Sequence, residues 1–261
     1  VSTLADIFLT CIRGEHNVRN RLFSSLSILI AVGLTVISAQ SAEATIFAYS
    51  DDNPIGHNAA GTFEEIAAQY DDQLQKFSWS ASFSAGQDGN IVNGNLPDGF
   101  WLVVSDGPNP KDNVDEYAIL YADGINDKIT SYVYDGQNNS NSYQTSSFIK
   151  AYSNELSVTV ANGIKTFSFS LDVTDINNFL NTPDWDGAQF ADMVGIWFHP
   201  FVTGGNGPTY DDQWHLTSLP IEAQGWYDRE NKYTHVVPEP ATVLLFSSGL
   251  AGAAFRRRKR G

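Results

Sequence analysis

Alternation of apolar and hydroxyl residues with a period of two is the feature that most constrains this chain of 261 residues. It is cleanest in residues 77–83 (FSWSASF) and 166–173 (TFSFSLDV). Such alternation buries one face of a β-strand and exposes the other to water. Shorter β-branched or aromatic runs have the composition of further strands, namely residues 100–104, 117–121, 129–134, 156–160 and 194–198.

Asp-Gly and Asn-Gly pairs punctuate these runs. Both pairs tolerate the positive φ that tight hairpins need. Asn162-Gly163 lies between two clean strands, so we predict a hairpin there. Many short strands separated by turn signals favour an all-β fold with a single two-sheet β-sandwich over residues 45–237. These 193 residues are enough for one domain with its own core.

Within residues 45–237, helix is predicted in two places. Residues 62–75 carry apolar side chains at helical spacing, and Thr62 is a suitable N-cap before two glutamates. Residues 175–180 predict a single further turn of helix. The apolar positions of the longer segment are Phe63, Ile66, Ala67, Tyr70 and Leu74.

The C-terminal residues 238–261 contain three distinct pieces in a fixed order. Pro238, Glu239 and Pro240 form a stiff turn, because each proline fixes φ and removes a hydrogen-bond donor. Residues 241–255 are an uncharged, mostly apolar run, roughly 22 Å long as a helix, which can insert in a locally thinned bilayer. Basic flanks stay cytoplasmic, so we predict a transmembrane helix stopped by the block Arg256, Arg257, Arg258, Lys259 and Arg260.

This order of triplet, apolar run and basic end resembles the PEP-CTERM sorting signal. The resemblance implies that exosortase, a membrane-embedded enzyme of Gram-negative bacteria that make extracellular polysaccharide, removes the tail near Pro238–Pro240. It implies an inner-membrane anchored precursor whose body is then delivered to the cell surface or the extracellular matrix of a biofilm. The alternative is an ordinary anchor helix that is never processed.

The N-terminal residues 1–44 predict a pre-sequence and a secretory signal peptide. Arg19 and Arg21 precede an apolar stretch at residues 22–37. Ala42 and Ala44 then satisfy the small-x-small rule for signal cleavage. We therefore expect the mature chain to begin at Thr45.

The mature body is strongly acidic and has no cysteine. The single cysteine, Cys11, precedes the predicted signal peptide, so no disulfide is expected. Residues 45–237 carry 26 acidic and seven basic side chains, a net charge of −19. This balance disfavours binding to nucleic acid and to anionic lipid surfaces, because a protein binds both through clustered cations of its own. Three roles of the negative charge remain: it keeps a secreted domain soluble, it binds divalent cations, or it contacts polysaccharide through bridging cations.

Residues 98–107 and 117–136 are similar to segments of jelly-roll surface domains, including concanavalin-like lectins. The resemblance implies that the sandwich is jelly-roll-like and that it binds glycan. Sugars stack on exposed aromatic rings and hydrogen-bond to neighbouring Asp and Asn. The alternative is that aromatic residues fill the core and its rim, as expected for the strand residues Trp79, Trp101 and Trp197. The aromatic candidates on turns close to Asp or Asn are Trp185, Tyr210, Trp214 and Trp226.

Acidic turns offer a possible calcium site, and no other cofactor is predicted. Asp184 and Asp186 flank a tryptophan before a glycine, and Asp211 and Asp212 follow Tyr210. Calcium takes oxygen ligands from such loops, although Asp-Gly pairs also serve simply as turns. Residues 123–127 resemble the opening of an EF-hand but lack its pattern. The histidines show no spacing typical of a zinc site.

No catalytic residues are predicted. The body lacks a G-x-S-x-G elbow, a phosphate-binding loop, an H-E-x-x-H motif and a cysteine nucleophile. Two hypotheses remain. The first is a non-enzymatic surface or matrix protein that binds polysaccharide or a neighbouring protein. The second is a secreted carbohydrate-active hydrolase, which needs two carboxylates facing one glycosidic bond.

Overall fold

A computed structural model describes residues 44–85, 96–136, 142–143 and 145–237 of the chain. The predicted signal peptide, the Ala42 side of its cleavage site, the Pro238–Pro240 triplet, the apolar run and the basic block lie outside the described residues. Within the described ranges, short 3₁₀ turns occur at Pro110–Asp112 and Thr145–Ser147, and an α-helix, α1, at Thr174–Asn177. The strands are β1 Ile46–Asp51, β2 Thr62–Asp71, β3 Lys76–Ser84, β4 Gly99–Ser105, β5 Ala118–Asp123, β6 Lys128–Val133, β7 Phe148–Ser153, β8 Ser157–Ala161, β9 Ile164–Asp172, β10 Met193–Val202, β11 Thr209–Tyr210, β12 Leu216–Ser218, β13 Ala223–Gln224, β14 Tyr227–Tyr233 and β15 His235–Val237.

Two antiparallel sheets contain most of these strands. The six-stranded sheet has the order β15-β1-β2-β3-β9-β8. The larger sheet has the order β13-β10-β4-β5-β6-β7, with β14 also paired to β10, and β11 pairs with β12 in a small third sheet. Apolar side chains of both large sheets share one buried cluster, which is the core of a β-sandwich. The all-β prediction is confirmed, and kinship with jelly-roll domains stays a prediction.

The six-stranded sheet follows the period-two pattern directly. Along β3, Phe77, Trp79, Ala81 and Phe83 are buried, and the intervening serines point outward. β9 is paired to β3 in register and does the same. The outward hydroxyl groups of Ser78 and Ser170, one on each strand, hydrogen-bond at 2.6 Å. One face of this sheet is therefore apolar and the other carries hydroxyl groups.

The predicted Asn162-Gly163 hairpin is confirmed. It joins β8 to β9, and its two residues have φ of 53° and 80°. Both values are positive, as a type I′ turn requires. The helical turn predicted over residues 175–180 corresponds to α1, which begins one residue earlier.

The long helix predicted over residues 62–75 is wrong, because this segment forms strand β2. The strand buries Phe63, Ile66, Ala68 and Tyr70, and Leu74 beyond it is 64% exposed. A bulge between Phe63 and Glu65 inserts one extra residue into the pairing with β3. The first two buried positions are therefore three residues apart, and this local irregularity imitates helical spacing.

The larger sheet is buried on both faces. Every residue of β4, β5 and β6 is buried. The inward residues join the sandwich core, and the outward residues form a second apolar cluster. Continuous apolar runs such as residues 100–104 are typical of strands covered on both sides. The expected burial of Trp79, Trp101 and Trp197 is confirmed.

Candidate ligand-binding face

We call the side of the larger sheet that points away from the sandwich core its outer face. This face carries most of the aromatic side chains that lie outside the sandwich core. Residues 203–222 fold over this face, and Leu216 and Leu219 pack in its apolar cluster. The backbone N–H of Leu216 donates to the Tyr132 hydroxyl at 2.7 Å. The covered outer-face side chains include Trp101, Val103, Ile119, Tyr121, Tyr132 and Trp197.

Trp214 stands at one end of the outer face and is 50% exposed. The Nζ atom of Lys128, on β6, lies 3.2 Å from the centre of a Trp214 ring and 4.6 Å from that of Tyr210. Lys128 is itself buried. Burial lowers the pKa of its ammonium, and the neighbouring Asp123 carboxylate acts in the opposite direction. A buried cation held against the ring fixes the indole by cation–π attraction.

The loop before Trp214 is fixed by Asp211. Its carboxylate accepts hydrogen bonds from the backbone N–H groups of Gln213 and His215, both at 2.9 Å. It also contacts Nδ1 of the His215 ring at 2.8 Å. This loop holds Trp214 at φ of 69°, a conformation that non-glycine residues rarely adopt. Asp211 therefore acts as a turn-forming residue that presents the indole.

Trp226 is the second exposed indole of this face, with 46% of its surface accessible. Its ring stacks on His57 with centroids 3.9 Å apart and an angle of 6° between the planes. The backbones of the two residues are also bonded, from His57 N to Trp226 O at 2.8 Å and from Trp226 N to His57 O at 3.1 Å. The indole is thus pinned by both its ring and its backbone.

His199, a residue of β10, lies beside Trp226, and the centroids of the two rings are 6.5 Å apart. It stacks on Trp101 of the adjacent strand at 4.9 Å and meets Trp197 edge-on at 4.7 Å. Nδ1 of its ring is hydrogen-bonded to the Gln224 side-chain nitrogen. Burial lowers the pKa of His199 to about 3, and the Lys111 cation acts in the same direction. The imidazole is therefore neutral at physiological pH.

The four predicted aromatic candidates have different positions. Trp214 and Trp226 are exposed on the outer face. Tyr210 lies half-buried beneath Trp214 and donates its hydroxyl hydrogen to Asp123 Oδ2 at 3.0 Å. Trp185 is only 6% exposed, and its indole N–H donates to the Ile176 carbonyl at 2.9 Å. Trp185 therefore packs in the core and presents no ring face to solvent.

The predicted calcium residues are divided between two loops. Asp184 and Asp186 lie near Glu116, and Asp211 and Asp212 lie in the Trp214 loop. Burial raises the pKa of the Glu116 carboxyl, and repulsion from Asp184 and Asp186 adds to the effect. Among the residues that the structure describes, no three carboxylate, histidine or cysteine side chains are arranged to hold a metal ion. Calcium at these positions stays a prediction.

Asp123 is the only carboxylate that is fully buried within the described residues. Its Oδ1 accepts the backbone N–H groups of Ile125 and Asn126 at 2.9 and 3.1 Å. Its Oδ2 accepts the Asn126 side-chain amide at 2.6 Å and the Tyr210 hydroxyl at 3.0 Å. The residues that resemble an EF-hand opening therefore form a hydrogen-bonded turn around this carboxylate. Four hydrogen-bond donors satisfy both oxygens of the Asp123 carboxylate, so Asp123 stabilises this turn.

Sequence reasoning missed His57, His199 and Gln224 as part of this face. The available signal was the position of His199 in β10, where it alternates with Trp197 and Phe201 on the outward side. His57 and Gln224 carry no local signal. They come from segments distant in the chain and meet His199 and Trp226 only through the pairing of β13 and β10 and the bridge between His57 and Trp226.

The C-terminal strand β15 pairs with β1 at the edge of the six-stranded sheet and ends at Val237. No helix among residues 44–85, 96–136, 142–143 and 145–237 is long and apolar enough to cross a membrane. Residues 236–259 match the family model of the PEP-CTERM protein-sorting motif. Comparison with curated proteins and with solved structures gave no match to this chain. The motif implies an exported, membrane-anchored precursor that is sorted to the cell surface through exosortase.

Proposed function

We propose that residues 45–237 form a non-enzymatic domain that binds extracellular polysaccharide after export. The observation that carries the proposal is the pair of half-exposed indoles, Trp214 and Trp226, on one face of the larger sheet. Each is held from one side, by Lys128 or by His57. A pinned aromatic ring loses little conformational freedom when a ligand stacks on it, so more of the contact energy contributes to affinity.

The separation of the two indoles supports a chain-like ligand. Trp226 stands beside β10, and Trp214 stands over β6. Strands β4 and β5 lie between them. Three inter-strand steps of about 4.8 Å place the supporting strands roughly 14 Å apart. A saccharide of several residues can bridge this distance, and two stacking sites on one chain reinforce each other.

The hydrolase alternative receives less support from the described residues. A glycosidase needs two carboxylates that face one bond. Asp123, the fully buried carboxylate of the described part, has four hydrogen-bond donors around it. The partly exposed acids Glu116 and Asp186 lie beside each other and next to Trp185, whose ring is buried. The proposal therefore assigns binding, and no reaction, to the outer face.

We expect Trp214→Ala and Trp226→Ala each to weaken glycan binding about tenfold, because a tryptophan that the bound ligand covers commonly contributes ~1.4 kcal/mol or more to a complex. The measurement is a glycan array with the purified full chain, followed by calorimetric titration of the best glycan. Tyr233→Ala is the matched control, since Tyr233 is 83% exposed but lies on β14 away from the two indoles. Running the array with calcium and with chelator tests the calcium prediction.

Wild-type binding that neither tryptophan substitution changes would show that the outer face is not the site. A chain that binds no glycan in either condition would overturn the proposal, and capture of a surface protein instead would favour the protein-binding hypothesis. Release of reducing ends from a bound glycan would favour the hydrolase.

The sorting role predicts a defined processing defect. Replacing both Pro238 and Pro240 with Ala should leave the full-length chain in the membrane fraction, because the two prolines that define the sorting triplet are lost. The wild type should lose its tail in a host that has exosortase, as seen by immunoblot of membrane and surface fractions. Ser247→Ala with Ser248→Ala, inside the apolar run, is the control. Equal processing of all variants would contradict the role of the triplet.

A further inference from the structure

Strand β8 forms an open edge of the six-stranded sheet. It pairs with β9 on one side, and among the described residues no strand pairs with its other side. All residues of β8 except Val158 are exposed, and the Val160 side chain is 65% accessible. Such an edge is a template for another strand, because the backbone N–H and C=O groups on its open side have no partner in the sheet.

The other edges of the two large sheets are protected from pairing. The edge strand β7 lies against α1, and Lys150 of β7 forms an ion pair with Asp175 of α1 at 2.6 Å. β15 has three residues and is followed by Pro238, which has no N–H group. β13 has two residues, and β14 carries the charged residues Asp228, Arg229, Glu230 and Lys232. β8 has no charge, proline, bulge or covering element of this kind, so it is free to pair.

The two-residue hairpin between β8 and β9 determines which backbone groups face the open side. In such a hairpin the pair that closes the turn, here Ala161 and Ile164, is hydrogen-bonded, and hydrogen-bonded pairs recur at every second residue. Thr159 therefore bonds to β9. The N–H and C=O groups of Val158 and Val160 point to the open side.

These free groups are complementary to those of a second copy of β8. When two β8 strands lie antiparallel with Thr159 opposite Thr159, Val158 of each copy faces Val160 of the other. Each of these two pairs exchanges two backbone hydrogen bonds. Any other register that keeps the bonding groups opposite each other pairs at least one valine with a residue outside β8. The edge is therefore self-complementary about a two-fold axis, as an isologous dimer requires.

The charge of the body also favours this edge as a contact between copies. Residues 45–237 carry 26 acidic and seven basic side chains, so most contacts between two copies bring carboxylates together. The five residues of β8 are uncharged. Glu155, the acid nearest to β8 in the sequence, is four residues from Thr159, and antiparallel pairing separates the two Glu155 residues by about 27 Å along the strands.

We propose that two copies of this chain associate through β8 and join their six-stranded sheets into one continuous antiparallel sheet. On the face toward the core, each Val158 side chain then meets a Val160 side chain of the other copy, and such cross-strand pairs stabilise a sheet. The glycan-binding indoles Trp214 and Trp226 stand on the other sheet of the sandwich. The inference therefore does not depend on the proposed function.

Cysteine cross-linking tests the register of the two strands. Thr159→Cys places two thiols in a directly opposed, non-hydrogen-bonded pair, whose Cα atoms lie about 4.5 Å apart and within reach of a disulfide. Ser157→Cys is the matched control, because Ser157 lies on the same strand and face but its two copies are about 14 Å apart. Both substitutions are made in the full chain with Cys11→Ser, so that the introduced thiol is the only one.

With oxidised glutathione as the oxidant, we expect about tenfold more disulfide-linked dimer from Thr159→Cys than from Ser157→Cys on a non-reducing gel. Equal cross-linking of the two variants would overturn the inference. So would a Thr159→Cys chain that becomes linked to a different surface protein and not to itself, because the edge would then belong to another partner.

Sedimentation equilibrium of the full chain in detergent measures the strength of the association. Val160→Lys should raise the dissociation constant of the dimer about tenfold, because it places two cations close to the two-fold axis. Val160→Pro should have a similar effect, since it removes an N–H group that bonds only to the second copy. Val236→Lys is the matched control, because Val236 is an exposed valine of β15 at the opposite edge of the same sheet.

The control should leave the dissociation constant unchanged. A wild-type chain that stays monomeric, or a dimer that is weakened equally by Val160→Lys and Val236→Lys, would contradict association through β8. Titration of the best glycan into Val160→Lys reads the proposed function separately. Retained glycan affinity in a chain that does not dimerise would leave the proposed function standing.

Discussion

The free energy of unfolding should fall by about 2 kcal/mol between pH 6.5 and pH 5 because of His199 alone, at ~1.4 kcal/mol for each proton and pH unit. Burial lowers the pKa of this ring to about 3 in the folded state, from 6.5 in the unfolded chain. The unfolded chain therefore takes up a proton below pH 6.5 while the folded ring stays neutral. Stability from this group is complete above pH 6.5 and is lost progressively as the pH falls toward 3.

Urea unfolding at half-unit pH steps measures this effect, with His199→Phe as the matched variant. The variant should be less dependent on pH by about 1.4 kcal/mol per unit across this window. The comparison stays above pH 5 because carboxylates titrate lower. Among these carboxylates, hydrogen bonds with Thr174 lower the pKa of Asp172, whereas burial raises the pKa of Asp186. Parallel pH profiles for the two proteins would show that His199 titrates normally in the folded state.

The strand framework was predictable because its signals are local. The alternation in β3 and β9 determines which residues face the core, and Asn162-Gly163 specifies its own turn. Strand β2 was not predictable in this way. Its bulge between Phe63 and Glu65 is imposed by pairing with β3, and an isolated segment cannot show that its apolar spacing reflects a bulge and not a helix.

The binding face was only partly predictable. Trp185 and Trp214 carry the same local signal, a tryptophan within two residues of an aspartate in a turn. In the structure Trp185 is buried because the Ile176 carbonyl accepts its N–H. Trp214 is exposed because Lys128, on a distant strand, holds its ring from below. Turn position predicts that the backbone bends, and long-range contacts decide where the side chain points.

The stacking of His199 on Trp101 could not be predicted from the sequence for the same reason. His199 and Trp101 are almost one hundred residues apart in the chain and become neighbours through the register of β10 and β4. Neither residue differs locally from an ordinary core residue. Their contact is visible only in the assembled structure.

Phe198 connects the two sheets of the sandwich. It is fully buried on β10 of the larger sheet. Its ring centroid lies 5.0 Å from Trp79 and 6.1 Å from Phe83, both on β3 of the opposite sheet. Within its own sheet it lies 5.1 Å from Phe100. Its removal would leave a cavity walled by aromatic rings, which are too rigid to fill it by relaxation.

We therefore expect Phe198→Ala to lower the free energy of unfolding by about 3 to 5 kcal/mol. At this size of domain that loss corresponds to a fall in Tm of roughly 10 °C. Phe179→Ala is the control, because Phe179 is 39% exposed and its ring lies near Trp185 at the periphery. The folded fraction of Phe198→Ala should keep its glycan affinity, since Phe198 points into the core and the indoles stand on the opposite side of the sheet. A loss below about 1 kcal/mol would mean that the two sheets do not pack through this ring.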